Sequence, residues 1–323
     1  MMHKEKILTL AAAAAVLIAC GREPIPENRI ELRLTSGIGM STRADYTPTQ
    51  STALATGENV YAWVDDAGDA THAPAPHVEA WALISNAGGS LTGANKYYFP
   101  ASGRTVDVYA VHGNFTAPIE GTTGWSTFTP VVHQVFADQS ETTANYEHSD
   151  FLFARDTTIV RDNNPKVLDF KHILSKIEIH LIAGTGLVGT DITGATVKVR
   201  GLVPTATVTL NKRGQPDATV VPSGTPTDIQ CRMTYKDDVM VGTEHAYAFA
   251  EAIVVPQVVS TPVSLLEITL PNSGIVLTTA LGTYTFEKGK RYGYNVTVNA
   301  KSLLLESTIT DWTDSGTSDI SAD

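Results

Sequence analysis

Ile173-Leu174-Ser175-Lys176-Ile177-Glu178-Ile179-His180-Leu181-Ile182 carries two periodicities at once. Ile173, Leu174, Ile177 and Leu181 fall at helical spacing, while Ile177, Ile179 and Leu181 alternate with Glu178 and His180. The β-branched richness of Ile-Glu-Ile-His-Leu-Ile favours a strand, with a helical first turn left open. Runs of helical length are scarce elsewhere, so this reading makes the chain all-β.

On either side of that stretch the same period of two recurs. Residues 58–64 set Val60 and Ala62 against Tyr61 and Trp63, and residues 104–112 set Val106, Val108 and Ala110 against Thr105, Asp107 and Tyr109. Further short alternating runs follow at 195–199, 205–210, 245–254, 264–270 and 291–299. Turn residues separate them, as in Asn86-Ala87-Gly88-Gly89 and Pro271-Asn272-Ser273-Gly274. Many short strands at near-regular spacing predict one or two β-sandwiches. The most polar break near mid-chain, Arg161-Asp162-Asn163-Asn164-Pro165, places a boundary between an N-terminal sandwich at 44–165 and a C-terminal one at 166–323.

The N-terminal 43 residues read differently. Lys4 and Lys6 precede an apolar run over 7–19 that closes on Leu17-Ile18-Ala19-Cys20. The run is shorter than the roughly 20 residues a membrane span needs. With its basic front and small residues before the cleavage point, it reads as a signal peptide (1–19) ending in a lipobox. Cys20 then becomes the first mature residue and the site of lipid attachment. Ile30-Glu31-Leu32-Arg33-Leu34 alternates like a strand, with Ile30, Leu32 and Leu34 on one face. Ser41-Thr42-Arg43-Ala44 follows, a polar linker with one basic residue open to a trypsin-like protease. Residues 20–43 are thus a lipidated segment carrying a detachable strand and a cut site between Arg43 and Ala44.

Composition narrows the partners. Of 323 residues, 42% are apolar and 18% charged, enough for a sizeable core. Beyond Arg43 the chain carries 17 basic and 30 acidic side chains, a formal −13. Such a surface repels phosphate backbones, so nucleic acid is not a partner. Cys231 is left as the lone mature thiol besides Cys20, which gives no disulfide. The nine histidines are scattered, without zinc-ligand spacing. Asp65, Asp66 and Asp69 resemble a calcium loop in acidity alone. No nucleophile elbow, phosphate loop or dinucleotide fingerprint occurs. No enzyme, metal or cofactor is expected.

Several of these stretches together carry a resemblance. They are the lipobox at Cys20, Ser41-Thr-Arg43-Ala, Asn59-Val-Tyr-Ala-Trp63 and Leu168-Asp-Phe-Lys-His172-Ile-Leu-Ser175-Lys-Ile177. Phe286-Glu-Lys-Gly289-Lys-Arg-Tyr292 and Ile309-Thr-Asp-Trp312 complete the set. In order and spacing the chain resembles the fimbrillin-like proteins of Bacteroidales, the type V pilins with their anchor and tip relatives. The resemblance implies two tandem transthyretin-like, Greek-key sandwiches and a precursor that is an outer-membrane lipoprotein. It implies removal of the N-terminal strand by an arginine-specific protease and filling of the vacated groove by a C-terminal strand of another subunit. The partners would be other fimbrial subunits and a host or bacterial surface ligand. Leu303, Leu305, Ile309 and Trp312 are the candidate donor residues, since beyond Trp312 the tail has Ile320 as its only large apolar side chain. Stalk, tip and anchor roles stay open. The rival reading is a glycan-binding surface lipoprotein using Trp81, Trp125, Tyr97 and Tyr98.

Overall fold

A computed structural model describes residues 29–38, 53–113, 122–123, 127–213, 216–241, 244–279 and 281–312. Seven strands form the first unit: β1 (Leu34–Ile38), β2 (Asn59–Asp66), β3 (Ala75–Ser85), β4 (Ser90–Thr92), β5 (Val106–Gly113), β6 (Phe151–Ile159) and β7 (Lys166–His172). Their order is β1-β7-β6-β5-β2-β3-β4, and β4 pairs back onto β1, so the sheet is closed. The alternation in sequence explains the filling. Val60, Ala62 and Val64 of β2 and Val106, Val108 and Ala110 of β5 point inward with Leu32, Leu34, Leu83, Leu168 and Phe170.

Tyr61, Trp63, Tyr109, Phe151 and Phe153 point the other way and are buried as well. They join a larger apolar cluster that continues into the C-terminal half. Phe128 bridges here, edge-on to Trp63 at 4.9 Å and to Tyr109 at 5.9 Å. Because β2, β5 and the first half of β6 are covered on both faces, Val60–Val64, Val108–Val111 and Phe151–Ala154 read as continuous apolar runs.

The second half is built on β8 (Ser175–Ala183), β9 (Arg232–Val241), β10 (Glu244–Val254), β11 (Lys290–Asn299) and β12 (Ser302–Asp311), in the order β9-β10-β8-β11-β12. The ambiguous stretch at 173–182 is therefore a strand from Ser175 onward, at the centre of this sheet and buried on both faces. Ile177, Ile179 and Leu181 share a core with Val197, Val199 and Ile268 of a four-stranded sheet.

Two strands sit across the expected boundary at residue 165. Lys166–His172 belongs to the barrel, pairing with β6 and β1. Val131–Gln134 pairs instead with Thr205–Leu210. The polar Asp162-Asn163-Asn164-Pro165 is the turn between β6 and β7, held by the Asn164 amide donating to Asp162 Oδ1 at 2.7 Å. Asx chemistry of this kind makes a hairpin turn as readily as a linker, which is why composition alone does not separate the two.

Candidate functional site

β1 is the strand that closes the barrel, and it is short. It runs parallel to β7, Leu34 opposite Lys166 and Ile38 opposite Phe170, and antiparallel to β4 through Leu34 and Thr35. Leu32 and Leu34 are 1% and 2% exposed within the barrel core, and Ile30 packs against the same cluster half-buried. The regular strand lies at Leu34–Ile38, further along than the alternation at 30–34 suggests. Residues 30–32 pair with a separate segment: the Leu32 amide donates to the Tyr97 carbonyl at 2.9 Å and the Phe99 amide to the Ile30 carbonyl at 3.0 Å. One continuous segment thus serves two neighbours in succession.

Ser36 explains the extension past Leu34. Its hydroxyl donates to the Gly89 carbonyl at 3.1 Å and accepts from the Leu54 amide at 3.3 Å, which satisfies a buried polar side chain inside the slot. Gly89 is a participant that sequence reading passed over as a turn residue. Its φ is +79°, and a Cβ there would stand 2.8 Å from the Ser36 carbonyl oxygen. The Gly88-Gly89 pair was the available signal.

The candidate donor residues lie on β12, the edge strand of the five-stranded sheet, hydrogen-bonded to β11 along its whole length. Leu303, Leu305 and Ile309 stand opposite Val298, Val296 and Tyr292, all core residues, so they share the core-facing side. Leu303 and Leu305 are half-buried, and Ile309 is 45% exposed. Trp312 ends the strand quite differently. It is buried, its amide donates to the Gly289 carbonyl at 2.7 Å, and its ring stacks on His172 with centroids 3.8 Å apart. His172 Nδ1 in turn meets Asp150 Oδ2 at 2.6 Å. His172 therefore joins the end of β7 to the end of β12.

Cys20, Arg43, Ala44 and Trp125 lie outside the described residues. Trp81 is a core residue, 6% exposed and edge-on to Tyr97 at 5.1 Å, so it offers no sugar platform. The acidic loop is spoken for: Asp66 accepts two bonds from Arg104, which hold its carboxyl below the usual range, and Asp65 pairs with Lys212 at 2.9 Å. Among the described residues no three His, Cys, Asp or Glu side chains converge to hold a metal ion. What the arrangement offers is a short strand that closes a sheet and an edge strand with one side unpaired, both held by backbone hydrogen bonds and apolar contact.

Comparison with known proteins agrees with this architecture. A family model described as fimbrillin-like matches residues 42–312. A candidate cell adhesion protein of Bacteroides uniformis is similar at 20% identity and TM-score 0.59, over 89% of this chain and 99% of that one. One of Bacteroides ovatus is similar at 19% identity and TM-score 0.60, over 88% and 98%. No curated protein matches in sequence. At such identities the structural likeness speaks to the fold, and the family match spans most of the sequence. The chain belongs to the fimbrillin-like family.

Proposed function

We propose that this protein is a structural subunit of a cell-surface fimbria, exported as a lipoprotein precursor and activated by cleavage after Arg43. Subunits then join when a strand of a neighbour replaces the released N-terminal segment, and the fibre serves adhesion. The observation that carries this reading is that β1 alone closes the barrel between β4 and β7. Its loss opens two unpaired strand edges and uncovers the apolar floor beneath Leu32 and Leu34. An incoming strand restores both at once. Burial of each aliphatic side chain contributes about 1.5–3 kcal/mol before ordering costs, so two or three such residues make a durable non-covalent joint.

β12 suits the donor role in its alternating Leu303, Leu305 and Ile309, and it already sits at a sheet edge. Its own pairing to β11 and the Trp312 anchor must be given up before it can leave. A subunit that keeps both its own N-terminal strand and its lipid would serve as an anchor.

Two expected outcomes test the processing steps. Cys20→Ser removes the only thiol at the lipobox, so labelling with a radioactive fatty acid should disappear and the precursor should partition into the soluble fraction. Unchanged labelling would refute the anchor assignment. Arg43→Ala should yield folded monomer that does not polymerise under protease treatment that assembles the unmodified chain. Fibres of normal length from that variant would place the cut elsewhere or make it unnecessary.

A further inference from the structure

The cleft beside the N-terminal segment has a chemistry that strand closure does not use. It encloses about 470 Å³, within the range of small-ligand sites, and its wall brings together Arg29, Lys96, Arg161, His77, Tyr97 and Tyr98. Three permanent cations thus face one cleft on a protein of net charge −11. The nearby carboxylates are engaged. Glu31 lies 3.2 Å from Lys96, and Asp162 accepts from Lys166 at 2.6 Å. Glu31 offsets part of the Lys96 charge, but the lining itself holds three cations and no carboxylate, so the cleft is more positive than the acidic surface around it and favours anions.

The aromatic part is held in place. Tyr97 is edge-on to Trp81 at 5.1 Å, and the Arg29 guanidinium lies over the Tyr98 ring at 5.9 Å. His77 donates from Nε2 to the Tyr98 carbonyl at 2.6 Å, so that nitrogen carries a proton and the backbone under the ring is fixed. Both tyrosines are partly exposed, with Arg29 over one face of Tyr98, and guanidinium groups offer paired donors matched to carboxylate or sulfate oxygens.

We propose that this cleft binds an acidic saccharide, a sugar ring lying on Tyr97 or Tyr98 with its carboxylate or sulfate among Arg29, Lys96 and Arg161. Arg29 belongs to the segment whose residues 30–32 pair with Tyr97 and Phe99, so the complete site exists only while that segment is docked. This last point rests on the strand-release reading; the binding itself does not.

The experiment titrates the full-length precursor in detergent with tetragalacturonate, with a heparin tetrasaccharide and with the neutral galactotetraose. The acidic probes should bind with an affinity that falls as salt rises, and the neutral one should not. Lys96→Glu and Arg161→Glu should each weaken binding roughly tenfold or more. Lys96 is 68% exposed, so its variant should melt as the unmodified chain does and keeps the test free of folding effects. Absence of binding at millimolar probe, equal binding of the neutral sugar, or indifference to Lys96→Glu would each overturn the assignment. Competition by inorganic sulfate at the same concentration as the saccharides would also overturn it, since the sugar ring would then contribute nothing. A further arm uses protein cleaved at Arg43 from which the N-terminal segment has been shown to leave. Loss of binding supports the place of Arg29, and retained binding removes Arg29 from the site. Cleavage without release counts against the strand reading alone.

Discussion

Leu32→Asp should cost the precursor about 4 kcal/mol or more in unfolding free energy. The native side chain is 1% exposed inside the barrel, so the change deletes a packed isobutyl group and asks a carboxylate to take its place. The first effect contributes about 2–5 kcal/mol and the second several more unless the segment undocks. Leu34→Asp should behave alike, because Leu34 is 2% exposed in the same core. Glu31→Gln removes only a surface pair with Lys96 and should stay within about 0.5 kcal/mol of the unmodified chain. Denaturant midpoints at constant slope measure all three. Cleavage at Arg43 followed by release of the segment should reproduce the instability of Leu32→Asp. A peptide spanning residues 303–312 should restore the melting temperature of the cleaved form. Equal melting of precursor and strand-free chain would mean that β1 is no part of the stable fold, and strand exchange would fall with it.

Much of this architecture could be read directly from alternation. Val60, Ala62 and Val64 mark the inner face of β2, and Val106, Val108 and Ala110 that of β5, each where a period of two puts them. The residues 173–182 resolved in favour of the strand because β-branched side chains fill a sheet centre well. β1 was harder to bound, since Ser36 and Gly37 break the apolar alternation after Leu34. Their places are justified by Gly89, Leu54 and Val167, all remote in sequence. Pairing of β1 with β7 joins residues more than a hundred positions apart, and no local pattern encodes such a partner.

The aromatics show the same limit from another side. Trp81 has the composition of a binding residue and the environment of a core one, because the Tyr97 ring packs against it. Tyr97 and Tyr98 are separated from it in role only by their partial exposure and by the cations around them. The turn at 162–165 looked like a linker because polarity is common to both. In each case the missing information is which distant strand comes to lie alongside.

The polar residues of β8 carry the second large effect. In an alternating strand Lys176, Glu178 and His180 form the face opposite the core, yet all three are buried, with Glu251 and Phe249 of β10, Arg291 of β11 and Tyr146 around them. Lys176 is fully enclosed, with its ammonium 2.8 Å from Glu178 and 2.6 Å from Glu251, and Arg291 stands 3.7 Å from Glu178. Burial works against the Lys176 charge, but the two carboxylates outweigh it and hold the amine well above the ordinary lysine range. Burial likewise opposes the Glu178 charge, and Lys176 with Arg291 overcomes it to hold that carboxyl below its usual value. Lys176→Met keeps the length of the side chain and strips the carboxylates of their shared partner, which should cost about 3–5 kcal/mol. Adding Glu251→Gln removes one stranded charge and should recover about half, with Arg291 still beside Glu178. The sign of the pH dependence separates this cause from lost packing. In the unmodified chain the lowered Glu178 pKa contributes stability that is present above the unfolded carboxylate value of about 4.3 and lost as pH falls below it. In Lys176→Met, Glu178 loses the cation that outweighs its burial, so its charge is penalised near pH 7 and the penalty is relieved as pH falls. The gap between the two proteins should therefore narrow on acidification. A Lys176→Met chain that loses less than about 1 kcal/mol, or whose deficit is constant from pH 7 to pH 5, would show that packing and not charge pairing holds the centre of this sheet.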